Sequence, residues 1–434
     1  MRTNIVHIGA GELTYEIRNI VNVGEKLQKL GLKTNWENIG DPIAKGEKVP
    51  GWMKNIVVDA VRQDHTYGYS STKGVLATRE FIADQTNKFG KVQIDAEDII
   101  FFNGLGDAIS KIFGFLKRTA RVLVPTPSYS THSSAEAAHA GHSPLTYILD
   151  PNNHWYPDLD DIEKCVKYNP AVAGILIINP DNPTGAVYPK EILEEIVEIA
   201  RRYDLFLICD EVYQHIYYNG TKTATLAEVI GDVPAIAMRG ISKEMPWPGA
   251  RCGWIEIYNR DKDPMFSKYI DSILNSKMVE VCSTTLPQTV YPMVVTHPEY
   301  PDYLLKRVKR YEKFSNIAYE CLKNVKGVLV NRTNGAFYMS VCFEEGILNS
   351  TQTLPIENKE VKGMIEELVA PEDTAFDKRF VYYLLGSTGV CVVPLTSFAT
   401  MINGFRITLL ETDEEEFEKI FFTVATAIES YLNS

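Results

Sequence analysis

Four short apolar runs constrain this chain more than any other feature: DIIFFNG at 98–104, ARVLVP at 120–125, GILIINP at 174–180 and LFLICDE at 205–211. Runs without polar alternation read as strands buried on both faces. Between them lie amphipathic stretches such as KEILEEIVEIARRY at 190–203, with Ile192, Ile196 and Ile199 on one side and Glu or Arg on the other. Buried strands separated by helices predict an α/β fold: a large domain with a mainly parallel sheet flanked by helices. Residues 300–325 read as one long helix leaving that sheet. Beyond it lie short strands in GVLVNRTNGAFYMSV and a C-terminal helix from about 411. Near the start, EIRNIVNVGEKLQKLG reads as a helix stopped at Gly31. These outer pieces predict a smaller α+β domain built from the N- and C-terminal segments. The expected divisions are an arm and part of the small domain at 1–64, a large domain at 65–305 and a small C-terminal domain at 306–434.

Composition narrows the function. A net charge of -12 over 434 residues argues against nucleic acid as a partner. The opening MRTNIVHIGAGELTYEIR lacks the apolar centre of a signal peptide, and no run approaches a membrane span, so a cytoplasmic protein acting on small molecules is expected. Seven cysteines without CxxC spacing read as reduced thiols rather than metal ligands. His139 and His142 have ligand-like spacing but no third ligand nearby in sequence, so no metal is expected. The acidic run at 413–419 suits the start of a solvated helix.

The chemistry lies in the loop after each strand, because ligands of open α/β sheets sit beyond the strands' carboxyl ends. Gly104-Leu105-Gly106-Asp107 comes after the first run and opens a helix, which makes an anion site or a plain strand-to-helix turn. Later runs lead into Tyr129 and His132, into Asn182-Pro183-Thr184-Gly185, into Asp210-Glu211-Val212-Tyr213, and into Ser242-Lys243 with Arg251 eight residues on. A carboxylate at a buried strand end is costly unless paired. Together these supply an amine, a guanidinium, a helix start, a carboxylate, a phenol, an amide and an aromatic face. That set can hold pyridoxal 5'-phosphate: lysine condenses with the aldehyde, the cation and helix start neutralise phosphate, and the acid keeps the ring nitrogen protonated.

The ordered elements NPTG, DEVY, SK and PGxR, with 28 residues from Asn182 to Asp210 and 33 from Asp210 to Lys243, resemble the class I/II pyridoxal-phosphate aminotransferases of the aspartate aminotransferase fold. The likeness runs from about residue 35 to 412. It implies a Schiff base on Lys243, which then moves the α-proton. It implies Asp210 on the ring nitrogen with His132 behind it, Asn182 and Tyr213 on the ring hydroxyl, and Tyr129 stacked on the ring. Ser242, Arg251 and the backbone of Gly104, Leu105 and Gly106 would hold phosphate, joined by Tyr67 from the neighbouring subunit of a homodimer with shared sites. Arg406, in GFRITLL, would fork onto the substrate carboxylate, and Gly40 would line the pocket. Taken singly, Arg406, Tyr129, Tyr67 and His132 each also suit an ion-pair, core or turn role. Three positions depart from the family: Gly240 and Leu105 lack expected hydroxyls, and Leu395 replaces a common glycine, which predicts an altered pocket wall.

The segment around Tyr15 and Arg18 resembles the start of glutamate–pyruvate (alanine) aminotransferases, where such an arginine could read a distal carboxylate. A helix-end arginine in solvent explains Arg18 equally well. The expected reaction is ping-pong exchange of an amino group between L-amino acids and 2-oxo acids. Glutamate/2-oxoglutarate would be one pair and alanine or aspartate the other, with aromatic donors also open. A β-lyase or decarboxylase on the same scaffold is the alternative. A regulator fused to a DNA-binding domain is more remote, since no basic helix-turn-helix precedes the match.

Overall fold

The apolar runs become strands because both of their faces find cover. In the computed structural model, which describes residues 3–13 and 16–434, strand β1 (Ile99–Phe102) sends Ile99 and Phe101 into one buried cluster and Ile100 and Phe102 into another. Alternation across the pleat requires this of a strand with cover on both sides. The same sheet contains β2 (Arg121–Thr126), β3 (Thr146–Asp150), β4 (Tyr156–Pro157), β5 (Val172–Ile178), β6 (Phe206–Asp210), β7 (Ala235–Gly240) and β8 (Gly253–Tyr258). Its order is β1-β8-β7-β6-β5-β2-β3-β4. Helix Lys190–Arg202 covers one face with Leu193, Ile196, Val197, Ile199 and Ala200, leaving its glutamates in solvent.

Strand direction decides where ligands can sit. β7, β6, β5 and β2 are parallel neighbours. β8 is antiparallel to both β7 and β1, so β1 points the same way as β7. The carboxyl ends of β1, β2, β5, β6 and β7 therefore open on one edge of the sheet.

A second sheet has β9 (Val328–Val330), β10 (Tyr338–Phe343), β11 (Val393–Pro394) and β12 (Gly404–Thr408) in the order β9-β10-β12-β11, antiparallel throughout. Its core takes in Ile20, Val23 and Leu27 of helix Glu16–Lys29, together with Phe417, Phe421 and Val424 of helix Glu414–Leu432. Gly31, with φ of 92°, comes after the first of these helices as expected. Asp413 caps the last one, accepting from the Glu416 N–H at 2.9 Å, so the acidic run does begin a helix. Residues Asn35–Trp36 pair in parallel with Val390–Cys391. Helix Gly51–Val61 turns the other way and packs Met53 and Ala60 into the large-sheet core. The expected helix at 300–325 spans Tyr300–Leu322.

Candidate active site

A cleft of about 450 Å³ opens where the parallel strands end, between the large sheet and β10 and β12. From the large sheet come Leu105, Gly106, Tyr129, Asn182, Asp210 and Tyr213. The turn after β7 adds Ser242, Lys243 and Arg251. Arg406 enters from β12, Gly40 from the N-terminal segment and Arg18 from the first helix. A larger hollow of about 620 Å³ lies against helices Leu105–Gly114 and Ser130–Ala140, but no amine–carboxylate pair lines it.

Lys243 extends its Nζ to the Gly40 carbonyl at 2.7 Å, beside the rings of Phe337 and Tyr213 at 5.6 and 5.9 Å. Asp210, at the end of β6, is 4% exposed. Its Oδ2 lies 2.8 Å from His132 Nε2, and its Oδ1 accepts the Val212 N–H at 3.1 Å. The partner that a buried strand-end acid requires is thus His132, seventy-eight residues away in sequence. Tyr213 is fully enclosed, and burial together with the neighbouring Tyr338 phenol pushes its hydroxyl well above the usual tyrosine range. Arg406 gives Nη1 to Asn182 Oδ1 at 3.2 Å and Nη2 to the Asn38 carbonyl at 2.6 Å. Its guanidinium lies over the rings of Tyr338 and Phe398 at 4.5 and 5.0 Å.

Residues 36–421 match the model of the aminotransferase class I and II family. The chain belongs to the class I and II aminotransferases. An uncharacterized aminotransferase of Methanocaldococcus jannaschii is 60% identical over 434 residues, the whole of both chains. A glutamate-pyruvate aminotransferase of Escherichia coli is 32% identical over 329 residues, 75% of this chain and 79% of that protein. The solved structure of alanine aminotransferase from Pyrococcus furiosus superposes with a TM-score of 0.84 at 27% identity, covering 99% of this chain and 100% of the other. Among the described residues no helix of this aminotransferase is long and apolar enough to cross a membrane.

Class I and II aminotransferases depend on pyridoxal phosphate, and the cleft fits that group. Arg406 is 2% exposed, yet its Nε has no partner, and neither do the two polar side-chain atoms of buried Asn38. Buried polar atoms left open are costly unless a ligand completes them. Gly104, with φ of 85°, lies against Arg251: a Cβ there would sit 2.2 Å from the guanidinium Nη2. The glycine leaves that cation room at the first turn of helix Leu105–Gly114, whose leading N–H groups have no acceptor within the helix. A guanidinium beside a helix start suits an anion such as a phosphate.

The two positions lacking hydroxyls lie together. Leu105 packs its methyl groups where a Cβ on Gly253 would be, 2.9 Å away, and its Cγ is 3.7 Å from the Cβ position of Gly240. Apolar contact over two glycines replaces the expected polar side chains. Leu395, where the family has a common glycine, is fully buried, packs against Gly404 and does not itself line the cleft. Tyr67 is 74% exposed and lies outside this chain's own cleft. Tyr15 falls outside the described residues. His139 bonds the Ala120 carbonyl at 3.0 Å, a structural contact.

Sequence reasoning missed Tyr338, Asn38 and Arg307. Tyr338 lines the cleft, and its hydroxyl is 3.1 Å from that of Tyr213. Arg307, buried on helix Tyr300–Leu322, donates Nη1 to the carbonyls of Lys243 at 2.9 Å and Glu244 at 2.7 Å. The tyrosine that closes GAFY on a strand facing the site was the one available signal. Arg307 left none, since it reads as one more cation on a charged helix.

Proposed function

We propose that this enzyme transfers amino groups by a ping-pong cycle at a pyridoxal phosphate held on Lys243. Glutamate/2-oxoglutarate would be one pair and alanine/pyruvate the other, with aspartate the competing donor. One observation carries the reading: a lysine amine, a histidine-braced aspartate and an enclosed arginine converge on one cleft. Names among the relatives, a glutamate-pyruvate and an alanine aminotransferase, support alanine over aspartate.

When bound, the cofactor supplies an aldehyde that condenses with amines and a protonated ring that draws electrons from the substrate's α-carbon. Asp210 would keep the proton on the ring nitrogen, with His132 holding the carboxylate in place. Asn182 and Tyr213 would bind the ring hydroxyl, and Tyr129 would cover the ring face. Arg251, Ser242 and the N–H groups at Gly104–Gly106 would take the phosphate. Arg406 would exchange its Asn38 carbonyl contact for the substrate carboxylate, a planar two-bond match. Lys243 Nζ, freed by the incoming amine, would carry the α-proton across. Arg18, at the mouth of the cleft, would meet the distal carboxylate of glutamate. Tyr67 would complete the phosphate seat of a partner subunit in a homodimer. Free thiols are in keeping with a cytoplasmic enzyme.

The test is spectroscopic and kinetic. The purified protein should show a visible cofactor band and turn over alanine with 2-oxoglutarate. Lys243→Ala should lose the band and lower turnover by about 10⁴-fold or more. A protein that stays colourless after incubation with pyridoxal phosphate contradicts the reading. Sustained release of product from an amino acid alone would make it a lyase instead.

A further inference from the structure

Tyr338 is 2% exposed and touches three parts of the site that the sequence keeps far apart. Its hydroxyl is 3.1 Å from the Tyr213 hydroxyl. Its ring lies under the Arg406 guanidinium at 4.5 Å. A Cβ on residue 40 would come 2.0 Å from its Oη, so its seat exists only because residue 40 is glycine. The carbonyl of that same glycine accepts the Lys243 amine at 2.7 Å.

Register explains the first two contacts. On β10, Tyr338 faces Thr408 of β12, while Arg406 faces Ser340. Arg406 is therefore the diagonal neighbour of Tyr338, within reach of an aromatic ring and a long side chain. Tyr213 arrives from the turn after β6, so the phenol pair bridges the large sheet and the small one.

We propose that Tyr338 is a positioning residue with two separable duties: its hydroxyl orients and strengthens Tyr213 as a donor, and its ring holds the Arg406 guanidinium in the plane that receives a substrate carboxylate. The inference rests on the cofactor reading above. Packing alone explains the ring but not the oxygen, since phenylalanine would fill the same slot. The oxygen has a specific use. Each phenol has one hydrogen to give. Once Tyr213 donates toward the ring hydroxyl of the cofactor, Tyr338 must turn and donate into Tyr213. A donor fed in this way is the stronger donor. The ring has its own use, because guanidinium stacking fixes orientation as well as charge.

Two variants separate the duties. In Tyr338→Phe the ring stays and the oxygen goes. The pH midpoint of the holoenzyme's visible band should rise by about half a unit or more, because a weaker Tyr213 donor stabilises the cofactor's ring oxygen less. The KM for the amino donor should stay within about twofold of wild type, because the guanidinium keeps its platform. In Tyr338→Leu the platform also goes, and KM should rise about tenfold above the Phe variant. A midpoint unchanged in Tyr338→Phe overturns the hydroxyl's duty. Equal KM values in the Phe and Leu variants overturn the ring's. A fall in melting temperature with neither change makes Tyr338 a packing residue and overturns both. If the Leu variant does not fold, the Phe variant still decides the hydroxyl's duty, and Tyr338→Met takes the Leu variant's place in deciding the ring's. A wild-type protein without a visible band fails at the earlier step and removes the cofactor reading together with this one.

Discussion

Asp181, next to Asn182 in the chain, has no exposure at all. Its Oδ2 accepts the Thr184 N–H at 3.0 Å and the Thr184 hydroxyl, while its Oδ1 has no partner. Burial, with a smaller push from Asp210, raises its carboxyl from the usual 3.8 to about 7. The folded chain therefore binds this proton more tightly than the unfolded chain does. Stability from this group is fully present below pH 4 and is lost as pH rises toward 7. Over that window the loss amounts to a few kcal/mol, at about 1.4 kcal/mol per unit. Asp181→Asn cannot titrate, so its unfolding free energy should gain on wild type between pH 4 and 7 and run parallel above it. Urea unfolding at a series of pH values checks this, and curves parallel throughout the window would refute it. Asp181 was not legible, because local spacing says nothing about how deeply a loop residue is buried. Lys243, Asp210 and Asn182 were legible as cleft-lining residues because each lies at or within four residues of the end of its strand. Tyr338 and Asn38 were not, since their roles arise where residues 38, 213, 338 and 406 meet.

The segment 37–47 acts as one element although it contains little regular structure. The Asn38 carbonyl holds Arg406, the Gly40 carbonyl holds Lys243, and Glu47 anchors the far end. Glu47 is buried against Arg307 Nε and against Arg310 Nη2, the latter at 2.5 Å. Burial alone would raise its carboxyl, but the two guanidiniums outweigh that and hold it below the usual range. Arg307 in turn grips the backbone of Lys243 and Glu244. Breaking this anchor leaves a buried cation unpaired. Glu47→Gln should cost about 3–5 kcal/mol at pH 7. The deficit should shrink as the pH falls through the lowered pKa, where wild type loses its own carboxylate. Urea unfolding at pH 7 and pH 3 measures both, and a cost under about 1 kcal/mol at neutral pH would show the pair to be dispensable. Elements of the large sheet could be read directly because unbroken apolar runs admit few other solutions. The pairing of Asn35–Trp36 with Val390–Cys391 could not, because two residues carry no period and the partner is some 350 positions away.

At the scale of the whole molecule, the surface near the Gly104 turn exposes large side chains that a second copy could cover. Tyr67 and Tyr69 are 74% and 86% exposed, and Val279, which ends a long helix, is 87% exposed. Both segments are tied to the strand that leads into the Gly104 turn. Thr285 Oγ1 binds the Gly68 carbonyl at 2.8 Å, Thr284 N–H binds Asn103 Oδ1 at 3.0 Å, and Ser283 Oγ binds the Phe101 carbonyl at 2.8 Å. Tyr67 is thus held near the Gly104 turn, exposed and outside its own cleft, in a position that would suit a role in a neighbour's site. If two copies share sites in this way, Lys243→Ala and Tyr67→Ala fall together in one site of a mixed dimer. One site then carries both lesions, and the other carries none. Random re-association of equal amounts should restore about a quarter of wild-type activity, although each variant alone is impaired, since half the dimers are mixed and each has one intact site. Were Tyr67 to act within its own chain, the mixture could do no better than the average of the two variants. Activity after co-refolding, measured at limiting pyridoxal phosphate, separates the cases, and a mixture that stays at that average would leave Tyr67 with no part in a shared site.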